Sequence, residues 1–137
     1  MMSNRHRARE LVLKALYAFE QGGQTKDEIR LSIIDDSGLD VNAIKFADTL
    51  YDLTIDNLKK IDKQISNLAT NWKLDRIAIV DKNIIRMAIC EVEYMPDIPI
   101  KVAINEAIEL AKRYSTLESA SFVNGILDRV MHEKAGE

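Results

Sequence analysis

Cysteine occurs once, proline twice and glycine five times in the 137 residues. A lone cysteine, Cys90, can form neither an internal disulfide nor a cysteine-based zinc centre. It sits beside Ile89 in an apolar helical stretch, which suits a small buried hydrophobe better than a reactive thiol. Sparse cysteine agrees with a reducing, cytoplasmic setting. The shortage of proline and glycine excludes collagen-like, proline-rich and glycine–serine linker architectures. No apolar run approaches the roughly 18 residues that a membrane span needs. The opening Met1-Met2-Ser3-Asn4-Arg5-His6-Arg7 has no apolar segment behind it that would read as a secretory signal. Positive charge is not in excess: 19 Lys and Arg stand against 22 Asp and Glu, a net charge of −3. A globally basic nucleic-acid protein is therefore excluded, while a local basic patch is not.

Catalytic groups are also scarce. The two histidines, His6 and His132, lie near opposite ends of the chain. HExxH, P-loop, GxGxxG and GxSxG motifs are all missing. The acidic pair Asp35-Asp36 adjoins Ser37-Gly38 and reads as a helix-end turn rather than an acid/base pair. We expect no enzyme activity, no cofactor and no metal site, and a protein that binds.

What is present is an apolar fraction of 47% and a charged fraction of 30%, enough for one compact domain over residues 1–137. The apolar residues recur with a helical period nearly everywhere. From 3 to 21 the set Ala8, Leu11, Val12, Ala15, Leu16 and Phe19 draws one stripe, with Ser3 or Asn4 as cap and Gly22-Gly23 as stop. Thr25-Lys26-Asp27-Glu28 has the form of a capping box, and a short helix with Ile29, Ile33 and Ile34 follows, closed at Gly38.

From Asp40 to about Thr70, Ile44, Ala47, Tyr51, Thr54, Leu58, Ile61, Ile65 and Leu68 alternate spacings of three and four. A break is expected between Thr54 and Asn57, and Trp72 is expected in a turn. A helix from Ile77 to Met95 is apolar over a wide arc and so central. Asp97 is expected to cap the next helix, with Pro99 at its first position and Ala103, Ile104, Ala107, Ile108 and Ala111 as its stripe. Ser119 is expected to cap a last helix carrying Phe122, Val123, Ile126, Leu127, Val130 and Met131. The fold class is all-α, with six or seven helices.

The first helix is the informative one. Residues 1–14 hold Arg5, Arg7, Arg9 and Lys14 against Glu10 alone, a local +3. Cations near a helix N-terminus oppose its dipole, and an anionic partner would offset that cost. Arginine suits phosphate because its planar fork binds two oxygens at once. A solvated basic terminus is the plainer alternative. Leu13 and Tyr17, four apart and outside the core stripe, could form a second apolar patch for a protein partner or pack against a loop. In Phe122-Val123-Asn124-Gly125, Gly125 could admit a neighbouring helix, and Phe122 could be core or a stacking face for a base.

Arg5-His6-Arg7-Ala8-Arg9-Glu10 followed by Ala15-Leu16-Tyr17 resembles the opening of the NusB family of bacterial transcription antitermination factors. Asn71-Trp72-Lys73-Leu74-Asp75-Arg76-Ile77 with Val80-Asp81, then Ile85-Arg86-Met87-Ala88, is similar to the family's middle. Residues 98–112, from Ile98-Pro99-Ile100 to Leu110-Ala111-Lys112, and Ser121-Phe122-Val123-Asn124-Gly125-Ile126-Leu127-Asp128 resemble its two most specific blocks. Between Gln24 and Asn67 only the helical pattern matches.

The resemblance implies an all-α protein of two small helical bundles packed across each other, without catalysis or cofactor. It implies binding to the boxA element of nascent ribosomal transcripts together with NusE, a small-subunit ribosomal protein, in support of elongating RNA polymerase. By position it implies RNA contacts at Arg5, His6, Arg7, Arg9, Glu118, Ser119 and Phe122. It implies a NusE-facing surface near Tyr17, Asp81 and Arg86, which the Leu13–Tyr17 patch read from the spacing would join. His6 stands where the family often has arginine, and Ser121 where lysine is common, and both departures remove positive charge. Two alternatives remain at this point: an RNA-binding module related to the N-terminal part of rRNA methyltransferases, and a helical scaffold that homodimerises through the Ile44–Leu68 seam.

Overall fold

The computed structural model describes residues 4–69, 73–134 and 136. Seven α-helices account for most of these, and no strand occurs among the described residues. The chain divides into two compact units, residues 1–55 and 56–137. The expected Ser3 cap and Trp72 turn lie outside the described residues.

The first unit opens with α1, Asn4–Gln21. Of the expected stripe Ala8, Val12, Ala15 and Leu16 are buried, while Leu11 and Phe19 are half-buried. Gly22 and Gly23 follow with φ of 81° and 92°, left-handed values that end the helix at little cost only because neither residue has a Cβ. The capping box then forms as read. The Thr25 amide donates to Glu28 Oε1 at 2.8 Å, and the Glu28 amide donates to Thr25 Oγ1 at 3.1 Å. These bonds to the charged form lower the Glu28 pKa.

This box starts α2, Lys26–Ile29, which runs directly into a π-helical turn, Arg30–Asp35. Ile29 and Ile34 are buried there, and Gly38, at φ 83°, reverses the chain. Asp40 Oδ1 accepts the Ala43 amide at 2.9 Å and so caps α3, Val41–Asp56.

The long seam breaks at Asn57, within the expected interval, and α4, Leu58–Leu68, begins the second unit. Ala47, Tyr51, Thr54, Ile61, Ile65 and Leu68 are all buried within this single chain. The seam is therefore consumed by the fold's own packing and does not offer the continuous apolar stripe that a dimeric coiled coil needs. After a short 3₁₀ turn, Leu74–Arg76, comes α5, Ile79–Tyr94. Every residue from Asp81 to Val92 is buried, which makes α5 the central helix of its unit, packed by α4 and by α6, Ile100–Tyr114, and α7, Leu117–Lys134. Cys90 is fully buried in it.

Two helix starts differ from expectation. Pro99, not Asp97, stands at the N-cap of α6, so the helix begins one residue later. At α7 the cap is Thr116, whose Oγ1 accepts the Ser119 amide at 3.1 Å. Ser119 is thus the third residue of the helix. Both Thr116 and Ser119 have a hydroxyl, but only the one three residues before a free amide can close that ring.

Candidate nucleic-acid interface

In the first unit, the opening turns of α1 and α3 are tied together by a hydrogen bond from Asn4 Nδ2 to Asp40 Oδ2. Between them lies the Phe46 ring, 7% exposed. The Arg5 guanidinium stands over it at 4.8 Å from the centroid and the Arg9 guanidinium at 5.0 Å. A ring face carries partial negative charge and attracts both cations.

The two arginines differ in access. Arg9 is 2% exposed and belongs to the interior. Arg5 and Arg7 are exposed, and among the described residues neither is paired with a carboxylate. Lys14 is exposed as well, and His6 is half-buried. Arg5 and Arg7 are thus both solvent-exposed cations on the first turns of α1, about 200° apart around the helix, while Arg9 is buried. The expectation that Arg9 reaches a ligand is corrected: helical rotation turns position 9 inward, onto the same face as Ala8 and Val12.

On the same helix Leu13 is 5% exposed while Tyr17 is 44% exposed. Leu13 therefore joins the core, as the packed reading of this pair has it and against its place in a partner-facing patch, and Tyr17 alone remains at the surface.

The second unit holds a cleft of about 310 Å³ lined by Arg76, Ile77, Ala78, Asp81, Glu118, Ser119 and Phe122. It lies where the first turns of α5 and α7 approach. Phe122 is half-buried, with part of its ring reachable. Asp81 is 4% exposed, and its Oδ1 accepts the Ser115 hydroxyl, which fixes the α6–α7 connection to the start of α5. The lining carries two carboxylates and one guanidinium, so this cleft repels phosphate and favours a neutral planar group against the ring. Arg86 is not part of any surface. Its side chain is 8% exposed and grips Asp62 through Nε at 2.7 Å and Nη2 at 2.8 Å. The expectation of a partner-facing Arg86 is corrected by this internal ion pair.

The sequence model of the NusB family matches residues 6–132. The chain belongs to the NusB family. A protein of Chloroherpeton thalassium named transcription antitermination protein NusB is 46% identical over 134 residues, 97% of this chain and 64% of that protein. This chain thus spans less than two thirds of that relative's length. The solved structure of T. maritima NusB is 39% identical, with a TM-score of 0.87 and full coverage of both chains. A structure described as antitermination factors NusB and NusE in complex with dsRNA is 23% identical, covers 95% of this chain and 97% of that one, and has a TM-score of 0.84. At that identity the likeness is one of fold.

Against the NusB expectation, the structure groups Glu118, Ser119 and Phe122 as expected and adds Asp81 to them, although the resemblance had set Asp81 with the protein-facing residues. It buries Arg86, whereas Tyr17 is exposed. Phe46 does not stand out in the sequence, because the three-and-four seam runs through Ala47 one position away. The available signal was a bulky aromatic three residues after Ala43 on the same amphipathic helix. Nor does Asp62 stand out, whose only signal is a lone acid among Lys59, Lys60 and Lys63.

Proposed function

We propose that this chain is a non-enzymatic RNA-binding factor for transcription antitermination, which takes boxA RNA of nascent ribosomal transcripts together with NusE and so supports elongating RNA polymerase. The observation that carries this reading is that Arg5 and Arg7 are both exposed, without carboxylate partners among the described residues, on a chain whose net charge is −3. Family membership supplies the biological setting. Arg5 and Arg7 grip phosphate oxygens, which positions the strand without reading sequence. The Phe122 cleft accepts an unstacked base of a single strand, since its net acidity leaves phosphate to α1. NusE meets the surface around Tyr17 and extends the composite interface.

The test is an equilibrium titration of labelled boxA RNA with the purified chain, with and without NusE, beside a scrambled RNA of equal length. The reading expects saturable binding of boxA that tightens when NusE is present. Equal weak binding of both RNAs, unchanged by NusE, would contradict it.

A further inference from the structure

The geometry points to Phe46 as a positioning residue that holds the Arg5 guanidinium ready for a phosphate group, an inference that rests on the proposed RNA-binding function. The Phe46 ring is itself almost fully buried, so its place is fixed by the packing of α3 rather than by any ligand. Its partner Arg5 is exposed and would otherwise sample many rotamers. Arg9, buried, takes the ring at 5.0 Å and Arg5 takes it at 4.8 Å. Two like charges are thereby brought to one aromatic group that attracts both.

The Arg5 guanidinium carbon lies 4.8 Å from the ring centroid, within range of a cation–π contact that uses none of its N–H donors as hydrogen bonds. Among the described residues no carboxylate takes the Arg5 N–H donors, which leaves the exposed fork available to an anion. An ordered fork loses less rotamer freedom on gripping an anion than a free side chain does. The Asn4–Asp40 hydrogen bond and the Asp40 cap on Ala43 hold the starts of α1 and α3 together, which keeps ring and guanidinium in register. Phe46 thus acts on the anion only through Arg5.

A double-mutant cycle tests this on the full chain, with fluorescently labelled boxA RNA as the probe and circular dichroism as the check of folding. Phe46→Leu removes the ring at similar volume, and Phe46→Tyr keeps it. Phe46→Leu is expected to weaken RNA binding about three- to tenfold, the cost of one side chain newly immobilised on binding. Phe46→Tyr should stay near wild type. In an Arg5→Ala background Phe46→Leu should add no further loss. Phe46→Leu that binds RNA as wild type does, or that loses as much without Arg5 as with it, overturns the inference.

If Arg5→Ala weakens binding and Phe46→Leu does not, the positioning role fails while the RNA-grip reading stands. If Arg5→Ala itself changes nothing, both fall. A second measurement needs no variant. In the wild-type protein the ring current of Phe46 should shift the Arg5 side-chain proton resonances upfield, and unshifted resonances would refute the contact.

Discussion

Arg86 and Asp62 form a two-armed ion pair between α5 and α4, and Arg86 Nη1 donates in addition to Asn83 Oδ1 at 2.9 Å. Every arm of the guanidinium is therefore used inside the second unit. Removing one partner of such a pair strands the other charge. Arg86→Ala should cost about 3 kcal/mol, the lower end of the usual range because Asp62 is 21% exposed. The double change Arg86→Met with Asp62→Leu should recover most of it. Denaturant unfolding midpoints measure both. Any loss of partner binding in Arg86→Ala should track the loss of folded protein.

Asp48 lies in a mixed cluster on the first unit. Burial, then the neighbouring Asp35 carboxyl, push its pKa up to about 6, while Arg30 pulls it down and Asp52 adds to the rise. Arg30 itself is shared among Asp27 at 2.8 Å, Asp52, and Asp48 at 3.8 Å. A carboxyl whose folded pKa exceeds its unfolded value, 3.8 here, favours the folded state when protonated. That contribution is complete below about pH 4 and is lost as pH rises through about 6. Asp48→Asn keeps the shape and removes the charge. It should raise the melting temperature by a few degrees at pH 8 and make no difference at pH 4. Thermal melts at the two pH values check this.

Gly125 sits in the interior of α7, exposed, and a Cβ added there would meet nothing within 4 Å. The expectation that it admits a neighbouring helix is thus not met by this chain. Gly125→Ala should stabilise the protein by about 0.5–1 kcal/mol through backbone entropy alone. A calorimetric melting temperature reads the gain.

The cap of α7 gives a discriminating pair. Thr116→Ala should cost about 1 kcal/mol, because it leaves the Ser119 amide without its acceptor. Ser119→Ala should cost little, since its own hydroxyl caps nothing. Chemical denaturation of the two variants separates them, and the reverse order would contradict the observed cap.

The helices were legible in the sequence wherever a local rule decides. The Gly22-Gly23 stop, the Thr25–Glu28 box and the break at Asn57 all depend on residues within one turn of each other. The buried arc of α5 was legible because apolar residues occupy most of its circumference. Less visible was anything set by contact at a distance. Leu13 reads as peripheral on a wheel of α1 alone, and only the packing of the unit buries it. Arg86 reads as a surface charge until Asp62, 24 residues earlier, closes on it. Arg9 and Arg5 have equal standing in the sequence and both reach the Phe46 ring, and what distinguishes the buried arginine from the available one is the inward face of α1 on which position 9 falls. The candidate site was thus legible as a segment, while the roles within it needed the fold.

The salt dependence of RNA binding tests the central claim most directly. Each phosphate contact on a single strand contributes about −0.7 to the slope of log K against log salt. The Arg5→Ala/Arg7→Ala variant should therefore show a slope shallower than wild type by about 1.4, with an unchanged melting temperature. Two parallel lines, with equal slopes for variant and wild type, would contradict the assignment of these arginines to the RNA backbone.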